Sequence, residues 1–253
     1  VLFPDAEGQL LLGLAESYKH AGHNNEAVTL TERGLRCPTD TPAIRAQLYA
    51  IRAHAQLATD LKAAEQAAMD AIDLGVRAGV PAAVAFGNAA RSVICRARGD
   101  LEEAVRIARE ATAELERSCG AADQHHPEIW LGAALVAQDR FEEAEEIFAE
   151  GQRKAEQLGT AWSMPLWHYY RASLYFAQGR LAEVESESEA GLRIAERVGA
   201  LQLSVPLKAL LGRVAVLTDR MPLARDYLQQ MQRMLAGGIS VLRSEEHTSE
   251  LQH

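Results

Sequence analysis

A short phrase returns at a fixed interval along this chain and dictates what it can fold into. TDLKAAE surrounds Ala64, GDLEEAV surrounds Ala104, DRFEEAE surrounds Ala144, GRLAEVE surrounds Val184 and DRMPLAR surrounds Ala224, each 40 residues after the last. A sixth copy, HNNEAVT, lies around Ala27, 37 residues before Ala64. A repeat of this length is the mark of stacked helical units, each of which hides its apolar face only against its neighbours.

The phrases begin at turn residues: Gly22, Asp60, Gly99 with Asp100, Asp139, Gly179 and Asp219. An aspartate at a helix N-cap accepts a backbone N–H, and Asp100 with Glu103 three residues on fits a capping box. Each phrase therefore predicts the start of a second helix, whose apolar residues then fall at three- and four-residue spacing, as at Leu101, Val105, Ile107, Ala108, Ala111 and Leu115. Gly79, Gly120, Gly159 and Gly199 suit the helix ends, and Pro81, Pro127, Pro165 and Pro206 stand near the next starts. Twelve helices in six pairs are expected, over residues 7–38, 43–79, 81–119, 126–159, 162–199 and 202–236 of one repeat domain, 1–242.

Twelve residues before each marker stand Ala15, Arg52, Ser92, Gly132, Ala172 and Gly212. Small residues there let paired helices approach to the short end of the usual separation of about 8–10 Å. Arg52 and Val184 break the pattern, which predicts irregular second and fifth repeats. The aromatic-rich segment from Ala161 to Phe176 reads either as a recognition patch or as core filling in the fifth repeat.

Composition narrows the function classes. A net charge of −9 argues against a nucleic-acid surface in this segment, because phosphate binding needs clustered Lys and Arg. Cys37, Cys95 and Cys119 lack the spacing of a zinc or redox site, and are expected to be reduced, buried packing residues of a cytoplasmic protein. No apolar run approaches the length of a membrane span. His20 with His23, and His125 with His126, lack the accompanying ligands of a zinc site. Carboxylate pairs such as Glu102-Glu103 and Glu142-Glu143 recur with the period, as expected where acidic groups favour helix N-termini. No nucleophile with a base, and no phosphate-cradling loop, is present; the chain contains no Gly-Lys dipeptide. The expectation is no catalysis, no cofactor and no metal in this segment.

Leu14-Ala15 with Tyr18 and Ala27, and Leu131-Gly132 with Ala144 and Phe148, resemble the tetratricopeptide consensus, although the period exceeds that family's 34 residues. His126 to Gly199 more specifically resembles the repeat region of large ATP-binding LuxR-type transcriptional regulators of the maltose-activator kind. That resemblance implies a right-handed, all-α solenoid of about six helix-turn-helix repeats. It also implies an ATPase before the repeats and a helix-turn-helix after them, neither of which this sequence contains. An alternative is the regulatory repeat region of a nucleotide cyclase or signalling kinase. The chain opens on Val1 rather than Met, and 243–253 resembles a translated sequencing adapter, so the sequence is expected to be a fragment with an artefactual or disordered tail.

On tetratricopeptide geometry the first helices line the inner face. Its residues are then Tyr49, Phe86, Arg96, His126, Tyr169, Phe176 and Arg213, which suit a protein or peptide partner, or a small inducer. The uncapped ends, with apolar residues at Leu11 to Leu14 and Leu228 to Leu235, make self-association a further expectation.

Overall fold

The computed structural model describes residues 4–37, 41–117 and 126–236. Cys119, Gly120, His125 and the tail 243–253 lie outside these. The described chain is all-α, with twelve helices and no strand, as the repeat demands. It forms two compact units, Val1–Ala134 and Leu135–His253.

The first unit holds α1 (Pro4–His20), α2 (Asn24–Arg36), α3 (Pro42–Gln56), α4 (Leu61–Ala78), α5 (Pro81–Ala97) and α6 (Leu101–Arg117), with the start of α7 (Glu128–Ala137). Sequence-adjacent helices pack against each other, and first helices also pack side by side, α1 on α3 and α3 on α5. No comparable packing joins α2 to α4 or α4 to α6 among the described residues. Within this unit the first helices therefore occupy the inner side of the bend. The core is alanine-rich: Ala15, Ala27, Ala46, Ala53, Ala64, Ala68, Ala89, Ala90 and Ala104 have no accessible surface. Ser92 shows how closely a pair approaches, since its buried Oγ donates to the carbonyl of the marker Ala104 at 2.8 Å.

The second unit holds α8 (Phe141–Leu158), α9 (Met164–Ala177), α10 (Leu181–Val198), α11 (Ser204–Leu217) and α12 (Met221–Ala236). One turn of 3-10 helix precedes α9 and another precedes α11. Here too the first helices α9 and α11 pack together. Arg180 reaches Glu145 at 3.4 Å and Arg220 pairs with Glu185, so each ion pair joins the start of one second helix to the second helix before it. Exposed pairs of this kind contribute little to stability.

Large side chains seat on small ones at a fixed place. Seven residues beyond each marker stand Gly34, Ala71, Ala111, Gly151, Gly191 and Met231. A Cβ added at Gly34 would lie 2.8 Å from Leu48 Cδ1, one at Gly151 would collide with the Trp167 ring, and one at Gly191 would lie 3.0 Å from Leu207 Cδ1. At Gly34 and Gly151 the intruding side chain belongs to the next first helix; at Gly191 the Cβ of His168, on the first helix before, lies as near, at 2.9 Å. The absence of a side chain is therefore the hole into which the following pair plugs.

The turns differ from expectation in one respect. Asp60 is the N-cap of α4 and accepts from Ala63 N at 2.9 Å. Asp139 and Asp219 instead precede their helices by two residues, with φ of 58° and 57°. The turn needs a left-handed residue there, which Gly22, Gly99 and Gly179 supply elsewhere, and aspartate tolerates that conformation better than most side chains. The N-cap of α8 falls to Arg140, whose side chain makes no cap bond. At the far ends Gly79, Gly159 and Gly199 adopt the left-handed cap, with the following N–H bonded five residues back.

The two expected irregularities resolve differently. Val184 is fully buried in the place of the marker alanine, and its repeat uses the same left-handed turn as its neighbours, so the fifth repeat is regular. Arg52 is accommodated by carrying its guanidinium out to Glu32 at 3.5 Å, and its repeat alone lacks a left-handed residue at that turn. Cys37 and Cys95 are half-buried free thiols rather than core residues. Desolvation holds the Cys95 thiol above its ordinary pKa.

Candidate functional site

The inner face of the first unit is filled by its own side chains. His54 of α3 stacks on the Phe86 ring of α5, with centroids 3.6 Å apart and planes 13° from parallel. Its Nε2 donates to the Phe86 carbonyl at 2.9 Å. Trp130 of α7 closes on the other side of His54 at 5.5 Å. All three side chains are buried. Lys19, at the end of α1, places Nζ 4.6 Å from the Phe86 centroid, in cation–π range. Its surface remains partly accessible, but burial around the ammonium pulls its pKa down to about 8, against a smaller opposing pull from Glu16. Side chains of four successive first helices thus form one chain of contacts, Lys19 on Phe86, Phe86 on His54 and His54 on Trp130.

This arrangement relocates the residues that spacing selected. Phe86 and His126 are buried, so neither presents a free surface; His126 sits just before α7 with φ of 44°. Tyr49 is half-buried against Ala53, Ala67, Ala68 and Ala90. Arg96 is half-buried near the end of α5. His54, Lys19 and Trp130 were not singled out by the periodic reading. Their contacts depend on how far successive pairs rotate, and local spacing does not carry that information.

In the second unit the inner face is more open. Arg213 of α11 is exposed and lies over the Phe176 ring of α9, with Cζ 4.0 Å from the centroid. Tyr169, two turns earlier on α9, is half-buried beside Leu166 and against Ala195, Ala200, Leu203 and Leu207. It meets Tyr170 edge-on at 5.0 Å. Spacing therefore brought one pair together, Phe176 and Arg213, with Tyr169 on the same helix. Of the aromatic-rich segment, Trp167, Tyr170 and Tyr175 are buried; Trp167 and Tyr170 pack on Phe148, and Trp167 fills the Gly151 hole.

Among the described residues no group of three or more His, Cys, Asp or Glu side chains comes together to hold a metal. No described helix is long and apolar enough to cross a membrane. Two open depressions lie at second-helix starts. One of about 420 Å³ is lined by Asp60, Lys62, Glu65 and Met69, and one of about 700 Å³ by Gly99, Asp100, Glu103 and Arg106. Both are bordered by ion-paired side chains: Arg98 on Glu65, and Arg106 on Glu103 and Glu110. The Arg98 and Arg106 guanidiniums hold Glu65 and Glu103, respectively, below the usual carboxylate range.

The chain is thus an all-α helical-repeat protein. No family model matches the sequence, and no curated protein matches it. Among solved structures it is similar to the apo form of RapI, with a TM-score of 0.65 and 11% identity over 92% of this chain and 84% of that one. At that identity the likeness is one of fold alone.

Proposed function

We propose that this chain is a protein-interaction and sensing segment, and that its working surface is the inner face of the second unit around Arg213, Phe176 and Tyr169. The observation that carries this reading is the exposed Arg213 guanidinium over the Phe176 ring, an arginine–aromatic pair of the kind enriched in recognition surfaces. An extended peptide carrying acidic and aromatic side chains fits that chemistry. The similarity to a helical-repeat structure supports a regulatory scaffold rather than an enzyme.

The finer assignment is a segment of an ATP-dependent LuxR-type transcriptional regulator of the maltose-activator kind, cytoplasmic, with ATP bound by another domain. It rests on the family-like stretch from His126 to Gly199. In that setting a ligand on the inner face changes the curvature of the array and shifts an attached domain between states. The test is a pool of fluorescein-labelled peptides rich in Asp, Glu and aromatic residues, titrated by anisotropy. A bound peptide should lose at least about tenfold in affinity on Tyr169→Ala with Arg213→Ala, since each such interaction is worth roughly 1 kcal/mol or more. Unchanged affinity in the double variant would falsify this placement of the surface.

A further inference from the structure

The buried stack of Phe86, His54 and Trp130 in the first unit ends on an amine for which the peptide-binding reading has no use. Lys19, in the last turn of α1, sets its Nζ 4.6 Å from the centroid of the Phe86 ring. Among the described residues no carboxylate is bonded to it, and Glu16, one turn earlier on α1, acts on it only through space. The side chain is half-buried rather than enclosed, which leaves a path for a small reagent. The chain holds three other lysines, Lys62, Lys154 and Lys208. Lys62 is exposed, and Lys208 donates to Gln230 at 2.7 Å.

A lysine is nucleophilic as the uncharged amine, and an ammonium stripped of water without a bonded counter-ion gives up its proton more readily. The ring face favours the cation, yet it replaces only part of the lost hydration. Burial wins, and the Lys19 pKa falls to about 8 against the opposing pull of Glu16. At pH 7 roughly one molecule in ten then carries the free amine, against on the order of three in ten thousand for a lysine at 10.5. Desolvation in an apolar setting is one of the ways in which a lysine is activated toward carbonyl carbon. The same setting favours the acylated product, because a neutral amide over Phe86 escapes the cost of burying a charge there.

We propose that Lys19 is a site of covalent acylation, taking a small acyl group from an activated donor, an acyl phosphate or a thioester. The free amine attacks the acyl carbon, and the C–N bond forms as the bond from that carbon to the phosphate oxygen or thioester sulfur breaks. The leaving group takes the bonding electrons and the proton released from nitrogen, so inorganic phosphate or a thiol is the second product. The modified side chain carries no charge, and the first unit loses the pH dependence that the ammonium gives it. The site belongs to the first unit and does not depend on the peptide surface proposed for the second.

The test is to incubate the full chain at neutral pH with acetyl phosphate and, separately, with acetyl-coenzyme A, and to follow each lysine by peptide mass spectrometry. With at least one donor Lys19 should be acetylated at least about fivefold faster than Lys62, Lys154 or Lys208, and the donor that labels it identifies the source. In guanidinium chloride sufficient to unfold the chain that preference should disappear, since it belongs to the fold. Glu16→Gln, at a half-buried position, removes the charge that opposes deprotonation and should raise the Lys19 rate about twofold or more. Lys19 reacting no faster than the other three with both donors overturns the proposal. A preference that persists after unfolding, or slower labelling in Glu16→Gln, overturns the assignment of the reactivity to the Phe86 contact.

Discussion

The inner faces of the two units are both lined by first helices and end up chemically unlike. In the first, His54, Phe86 and Trp130 stack into a buried plug with Lys19 over its edge. In the second, Phe176 is covered on one face by an exposed arginine. A periodic position fixes which side of a helix a residue occupies. Whether that side remains open depends on which rings from neighbouring pairs reach it. The lesson is that the period locates a surface, and the aromatic content of adjacent first helices determines whether the surface is available.

Substitution should widen this contrast. Phe86→Ala removes a buried ring together with the stacking of His54, and should destabilise the first unit by about 3–5 kcal/mol in denaturant unfolding. Phe176→Ala removes a half-buried ring and should cost less than half as much. Equal losses would mean that the two faces are closed to the same degree.

The hole positions give the next effect. Gly151→Ala drives a methyl into the Trp167 ring, and should lower stability by about 1–3 kcal/mol through overpacking. Met231→Ala, at the same periodic place but only half-buried, should cost about 1 kcal/mol or less. A large loss at Met231 would show that α12 is packed by something beyond α11.

A smaller effect lies in Lys19. Its pKa is lowered from 10.5 to about 8 in the folded chain, so the unfolded chain binds more protons between those values. Stability should therefore rise with pH across that window, and the cost of burying the charge is fully present below it. Lys19→Met should flatten the slope between about pH 8 and 10.5, read as the difference between the two chains' pH–stability curves. An unchanged slope would remove Lys19 from the plug.

Much of the fold was legible because its signals are local. Marker residues, left-handed glycines and prolines at helix starts act within a turn of where they stand, and they place all twelve helices in their pairs. Where reading failed, the cause was a choice between two local solutions. Asp139 and Asp219 can cap a helix or take a left-handed turn, and the hairpin needs the turn. Val184 fits the alanine place because its packing partners leave room. The surface was less legible. Phe176 and Arg213 were found together because they lie on adjacent first helices. That Phe86 is buried was not legible, because the His54 ring that stacks on it comes from the neighbouring first helix.

Hydroxyl-radical footprinting of the free chain, read by mass spectrometry at single residues, tests this contrast most directly. The account predicts that Phe176 and Tyr169 are oxidised several-fold faster than Phe86 and Trp130, after correction for intrinsic ring reactivity. Phe86 and Trp130 reacting as fast as Phe176 would contradict it, because the first unit's inner face would then be open and the second would have no special claim as the binding surface.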